Sequence, residues 1–595
     1  MALALTAGLT VGWRHLPPAQ LEQFAAWIIG LGLLAIVMPL GWRAAAVVLV
    51  GSAGVQFGLS RINEAKIAMT QAPLTVLDFE IALANPRGLW LALGLPVWTR
   101  VPVGVLLVAL LGGVAALGGW LSWRHVRRQT RQQRIGTGVS VALSMAGLVW
   151  YTVALPGALA PHADQNDELW EAAGLSAYSS RIGVVPFLLY SYQLERGQSG
   201  PYYTEKPVAP TPPATIRATA NTFVSLSRRP RTLPNIVIVF AESTFNPDWA
   251  FHLSEPVASE LFAHHADTHV LTGMTVNTVG GGSWITEFET VVGVDARLFG
   301  YAGNYTHATL SPFIRHSLAT YLKGKGYDTA AYYSWAGDFY NARRAYGHYG
   351  FGQFFDVTDI GLHEFEGSDV DVATAALARI TTAQAAPRFA YVVLYENHSP
   401  HACEHFTDAA QLPVTFAGSV EFGKNCELNE YLLRMASTTA AVETVEAALK
   451  DMERTTGRPY VLAVFGDHQP HTFTGTKAPP LSNFDYVAER TGDSMRNTFL
   501  HIRSSAPNPL RCCGTVPPPA FLLPTLLSAY VATGVDDLYL PQNFQVYQQC
   551  GSDILADNQA RKGAALPLRI GPPPQPGCRP AYLSWLSSIR KSGVM

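Results

Sequence analysis

Hydrophobic and polar positions divide this chain into two regimes. Up to about residue 160, long apolar runs are separated by short polar joints: Leu21–Trp42, Ala44–Ser60, Val101–Trp123 and Thr137–Leu155, with a shorter run at Ala2–Trp13. A helix crossing a bilayer needs roughly 20 consecutive apolar residues. Residues 1–160 are therefore expected to form an α-helical transmembrane domain of about five helices. Further on, the runs shorten and become rich in β-branched and aromatic residues. Asn235–Phe240, Asp328–Tyr333, Phe389–Tyr395 and Val461–Phe465 read as strands buried on both faces of a sheet. Ser311–Lys323, Val370–Ala385 and Ser437–Arg454 read as the helices between them. Strands alternating with helices predict an α/β domain over residues 233–540, with a mostly parallel sheet and helices on both faces. Residues 161–232 form an expected interfacial linker. It contains the aromatic stretch Leu169–Leu194 and a polyproline-type spacer at Pro207–Pro213. Residues 541–595 are expected to be a Pro-rich tail packed on the α/β domain.

Charge adds direction to this picture. Lys and Arg total 42 against 44 Asp and Glu, a net charge of -2, so no overall field favours nucleic acid and none is expected as a partner. Arg124, Arg127, Arg128, Arg131 and Arg134 crowd the joint between the last two apolar runs. The positive-inside rule makes that joint cytoplasmic and everything after about Pro156 extracytoplasmic, so a multi-pass protein of a bacterial inner membrane is expected. By the same count the segment from Arg61 to Arg100 lies outside, as an interfacial hairpin anchored by Trp90 and Trp98. All six cysteines follow residue 400, as expected for a domain in an oxidising space. The expected disulfides are Cys403 with Cys426, and one of Cys512 or Cys513 with Cys550 or Cys578.

The candidate chemistry lies where the strands stop. Phe240 runs into Ala241-Glu242-Ser243-Thr244, Tyr395 into Glu396-Asn397-His398-Ser399-Pro400-His401, and Phe465 into Gly466-Asp467-His468-Gln469-Pro470-His471. Ligands of open α/β sheets bind outside the carboxyl ends of the strands. Glu242, His398, Asp467 and His468 are thus expected on one rim, where carboxylates and imidazoles are the material of a divalent-metal site. Thr278-Val279-Gly280-Gly281-Gly282-Ser283 precedes a predicted helix from Trp284 to Val292. Glycines allow close backbone approach to a ligand, and a hydroxyl at a helix N-terminus suits a phosphate. Read by itself, the same stretch is an ordinary Gly-rich turn with Ser283 as N-cap.

Taken in order, the Glu after the first strand, the hydroxyl after the glycines, Asn397-His398-Ser399-Pro400 and Gly466-Asp467-His468 resemble the lipoteichoic acid synthase family of the alkaline phosphatase–sulfatase superfamily. That family includes phosphoglycerol transferases that modify periplasmic glucans, with phosphoethanolamine transferases as more distant relatives. The resemblance implies that Glu242, Asp467 and His468 ligate a metal, with Ser283 as nucleophile and fourth ligand. It implies Mn2+ first, with Mg2+ or Zn2+ as alternatives, and His398 as the substrate-contacting histidine. In the Gram-positive synthases the nucleophile is usually Thr. Phe339-Tyr340-Asn341-Ala342-Arg343 is similar to a family stretch reading Phe-Trp-Asn-Arg, but Ala342 stands at the Arg position and Arg343 one place later. Trp335, Asn341, Arg343, His401 and His471 complete the expected substrate contacts.

The implied reaction moves a phosphoglycerol headgroup from a phospholipid donor to a glycan or glycolipid acceptor through Ser283. Three other readings compete: a phosphoethanolamine transferase, a metal-dependent phosphodiesterase, and a membrane sensor with a relic site. A true sulfatase needs Pro and Arg at fixed offsets after its nucleophile. Trp284, Ile285, Thr286 and Glu287 do not supply them.

Overall fold

A computed structural model describes residues 29–70, 72–84, 97–163, 172–197, 209–226, 232–278, 280–362, 367–382, 385–399, 401–418, 421–470, 496–513 and 516–551. It also describes residues 578, 581, 584, 585, 587 and 589. The chain divides into two units, Met1–Pro201 and Tyr202–Met595.

The first unit is helical. Its elements are Trp42–Thr70, Val76–Ala84, Val97–Arg127, Arg131–Ala163, Ala172–Ile182 and Val184–Gly197, preceded by a short apolar helix at Ile29–Leu40. Among the described residues, Trp42–Ile67 and Arg131–Ala154 are long and apolar enough to cross a membrane, and both leave apolar side chains such as Val50, Phe57 and Val153 exposed. The first of these helices runs past the expected end at Ser60. Asn63 and Lys66, expected in a loop, lie on it. Lys66 Nζ reaches Asp78 Oδ2 at 2.6 Å and the Pro73 carbonyl at 2.8 Å, and Asn63 Oδ1 accepts from Leu74 N at 2.6 Å. The chain can fold back here because these polar groups satisfy one another. Trp90 lies outside the described residues, as does the Ala2–Trp13 run.

The second unit is built on a seven-stranded sheet in the order β2-β7-β6-β1-β5-β3-β4. The strands are β1 (Asn235–Ala241), β2 (Thr268–Thr275), β3 (Asp328–Tyr333), β4 (Gln353–Phe355), β5 (Arg388–Leu394), β6 (Tyr460–Gly466) and β7 (Asn497–Ser504). The block β6-β1-β5-β3-β4 is parallel, whereas β7 runs antiparallel to both β6 and β2. The sheet is therefore mixed rather than simply parallel. Alternate residues of β1 feed two separate cores. Ile236, Ile238 and Phe240 face the Ser283–Val292 helix and the C-terminal helices. Val237 and Val239 face the Asp369–Ile380 and Phe422–Thr456 helices. Both faces are thus covered, as the uninterrupted apolar runs require.

Some elements differ from expectation for local reasons. The expected helix over Ser311–Lys323 is a 3-10 turn at Ser311–Phe313 and a helix at Leu318–Gly324, which starts at a capping box between Ser317 and Thr320. The helix expected at Ser437–Arg454 extends over Phe422–Thr456. Cys403 pairs with Cys426 as expected, but Cys550 pairs with Cys578 and Cys512 with its neighbour Cys513, so no bond joins the two latter groups. In the described part of the tail, Trp585 is buried and donates Nε1–H to Asn543 Oδ1 at 2.8 Å.

Candidate metal centre and active site

Strand register brings two of the candidate acids together. β1 and β6 are neighbours, and Ala241 lies opposite Gly466. The next residue on each strand, Glu242 and Asp467, therefore emerge side by side at the carboxyl rim. Gly466 is required there, since a Cβ at that position would lie 1.7 Å from the Thr244 carbonyl oxygen. The hydroxyl arrives from the Gly-rich segment. Gly280, Gly281 and Gly282 have φ of 66°, 157° and 77°, conformations that L side chains avoid. Gly282, not Ser283, is the N-cap, and Ser283 is the first residue of the helix.

The ligand-type atoms of Glu242, Asp467 and His468 all lie within 4.8 Å of one another, and all three side chains are buried. Ser283 Oγ is 3.2 Å from Glu242 Oε2 and 3.3 Å from His468 Nε2. His468 Nδ1 lies 2.9 Å from the Gln469 carbonyl. That contact requires Nδ1–H as donor and leaves the Nε2 lone pair facing the acids, the state in which imidazole ligates metals. Ser243 N–H donates to Asp467 Oδ1 at 2.7 Å and Ser243 Oγ to Glu242 Oε1 at 2.8 Å. Asp467 Oδ2 is buried 3.1 Å from His468 Nε2 and has no hydrogen-bond partner among the described residues. Burial pushes the Glu242 carboxyl well above its ordinary range, and the neighbouring Asp467 pushes it further. Burial raises Asp467 as well. Two acids at one buried point, one oxygen orphaned, with an imidazole lone pair and a hydroxyl alongside, form a donor set that fits a divalent cation.

The other expected site residues are distributed as follows. His398 is recessed beside the rings of Trp335 and Tyr395, with Nδ1 on the Ser399 carbonyl at 2.6 Å. Desolvation pushes its pKa down to about 4. Trp335 is buried and also packs on Phe339. Asn341 and Tyr340 both have positive φ, and Tyr340 stacks at 4.2 Å on Trp284, the residue after Ser283. Asn341 Nδ2 donates to the His307 carbonyl at 3.0 Å. The Arg343 guanidinium is held by Asp356 at 2.6 Å and Asp359 at 2.7 Å. His401 is an interior residue, with Nε2 at 3.1 Å from both oxygens of Asn397 and its ring against Tyr431. His471 lies outside the described residues.

Residues 234–499 match the family model described as Sulfatase. An uncharacterized protein of Haemophilus influenzae is 27% identical over 275 residues, covering 43% of this chain and only 48% of that protein. A Rhizobium meliloti protein whose name assigns it to cyclic beta-1,2-glucan modification is 23% identical over 564 residues, covering 88% of this chain and 80% of its own. Among solved structures, the phosphoglycerol transferase GacH of Streptococcus pyogenes, in complex with sn-glycerol-1-phosphate, gives a TM-score of 0.42. It is 16% identical and covers 64% of this chain and 94% of that one. The lipoteichoic acid synthase LtaP of Listeria monocytogenes gives 0.39 at 15% identity, covering 53% and 77%. Likeness at that level decides nothing about chemistry.

The α/β domain also contains functional-looking groups that its sequence does not advertise. Glu287, one turn after Ser283 on the same helix, is fully buried and accepts from Tyr346 OH at 2.7 Å. Burial pushes its pKa up to about 8. His307 lies 3.5 Å away, and burial pushes it down to about 3. The spacing of Glu287 from Ser283 was the available signal for this pair, because residues four apart share a helix face. Nothing in chain order points to His307.

Proposed function

We propose that this chain is a membrane-anchored transferase that moves a phosphoglycerol headgroup from phosphatidylglycerol to an extracytoplasmic glycan acceptor, with Ser283 carrying the group between them. The observation behind this reading is the meeting of Ser283 Oγ with Glu242 and His468 beside Asp467, at the start of a helix whose amide donors suit a phosphate. Glu242, Ser283, Asp467 and His468 would hold a divalent cation, Mn2+ first. When bound, the cation would lower the serine pKa and withdraw charge from phosphate oxygens.

In the first step the Ser283 Oγ–P bond forms and the bond from phosphorus to the diacylglycerol oxygen breaks. The serine proton ends on that oxygen, releasing diacylglycerol. In the second step an acceptor hydroxyl attacks phosphorus, the Ser283 Oγ–P bond breaks, and the acceptor's proton ends on the serine oxygen. His398 is neutral near pH 7, and with Nδ1–H on the Ser399 carbonyl it presents Nε2 as a proton acceptor. In that state Nε2 can accept a hydrogen bond from the attacking hydroxyl and orient it toward phosphorus. The two apolar helices support the donor choice, since a tethered domain reaches a lipid headgroup without extracting the lipid.

The test is to incubate the full chain in detergent with Mn2+, phosphatidylglycerol labelled in its headgroup, and a cyclic glucan. The expected result is diacylglycerol together with labelled glucan. Diacylglycerol with label only in free glycerol phosphate would make the protein a phosphodiesterase instead.

A further inference from the structure

A divalent cation held by Glu242 and Asp467 would be balanced by those two carboxylates. A phosphodiester brought to the same point then lacks a positive partner. Arg343 cannot supply one as it stands, because two carboxylates already hold its guanidinium, and the adjacent Arg344 is exposed.

A different cation meets the need. Arg434 sits on the Phe422–Thr456 helix, on the face that docks against the carboxyl end of β5. One turn on, Ser437 Oγ donates to Glu396 Oε2 at 2.5 Å and Thr438 Oγ1 to Asp369 Oδ2 at 2.6 Å. Asp369 Oδ1 in turn receives the backbone N–H groups of Tyr395 and Glu396, both at 3.0 Å. This docking fixes the turn that carries His398, and Arg434 Nη1 donates to the His398 carbonyl at 2.9 Å. The side chain is half-buried, and among the described residues no carboxylate pairs with it. A guanidinium has five N–H donors in a planar fork, and among the described residues one of them is used. An uncompensated, partly desolvated cation at a strand-end rim is a site prepared for an anion.

We propose that Arg434 is the phosphate clamp of this enzyme. Its unused donors hold an anionic phosphate oxygen on the His398 side of Ser283. This rests on the transferase reading and deepens it.

The test measures binding of inorganic phosphate to the Mn2+-loaded full chain in detergent by calorimetry, and the KM for phosphatidylglycerol in mixed micelles. Arg434→Met is expected to weaken phosphate binding by about 10- to 100-fold and to raise the donor KM, with metal content unchanged. Arg434→Lys should fall between, and Arg454→Gln, an exposed control on the same helix, should match the wild type. As a check that needs no variant, inorganic phosphate should protect Arg434 of the wild type from phenylglyoxal, read by peptide mass spectrometry. Unchanged phosphate affinity in a metal-replete Arg434→Met protein, or no protection of Arg434, overturns the clamp. A wild type that binds neither phosphate nor donor removes the transferase reading itself.

Discussion

Ser283 contributes one oxygen to a cluster whose other members hold their positions through the backbone of two adjacent strands. Removing that oxygen should leave the cluster folded and end the chemistry. Ser283→Ala is expected to lower headgroup transfer by at least about a thousandfold, while Ser283→Thr keeps a measurable fraction. A Ser283→Ala protein with wild-type turnover would reassign the nucleophile. Glu287 offers a test of a different kind. Its folded pKa of about 8 stands above the ordinary 4.5, so between those values the folded state keeps a proton that the unfolded chain has released. Stability must then fall as pH rises through that window. Glu287→Gln removes this titration, so the difference in Tm, variant minus wild type, should grow from pH 5 to pH 8; parallel curves would contradict the assignment. The convergence of Glu242, Asp467 and His468 was legible in the sequence because they stand at the ends of two apolar runs, those of β1 and β6. Arg434 and His307 were not. Arg434 lies on a helix face that gains meaning only when docked on the β5 turn, and His307 is set by a buried partner remote from it in the chain.

Two neighbouring strands and one glycine assemble the acids, so the element to perturb is the end of β6. A Cβ on Gly466 meets backbone rather than a yielding side chain. Gly466→Ala is expected to separate Asp467 from Glu242 and to lower metal bound per folded molecule, measured by elemental analysis of the monodisperse fraction. Wild-type metal content in Gly466→Ala would show that the register does not govern the site. The central strands were legible because burial on both faces removes polar interruptions. β7 was harder to see because His501 and Arg503 break its apolar pattern. Both are buried against partners supplied by other elements: His501 against Thr268 and the Leu261 carbonyl, Arg503 against Glu446. The division of the expected Ser311–Lys323 helix is likewise local, set by the capping box at Ser317, which starts a new helix.

At the scale of the whole chain, apolar helices in the first unit and paired cysteines in the second lead to one expectation of placement. If the α/β domain faces an oxidising space, protein taken from membranes and denatured without reductant should take up no thiol label, and six labels after reduction. Six free thiols before reduction would put the domain on the cytoplasmic side and remove the argument for a lipid donor. The α/β character of the second unit was plain from the alternation of apolar runs, and hydropathy marked two apolar helices of the first. The partners of Cys512, Cys513, Cys550 and Cys578 were not, because pairing depends on which chain segments the fold brings together. The most direct measurement of the central claim is the mass of the Ser283 peptide after brief incubation of the full chain with Mn2+ and phosphatidylglycerol, without acceptor. A glycerophosphoryl adduct on Ser283 is the predicted result. An unmodified Ser283 beside a modified Thr278 or Thr286 would contradict it.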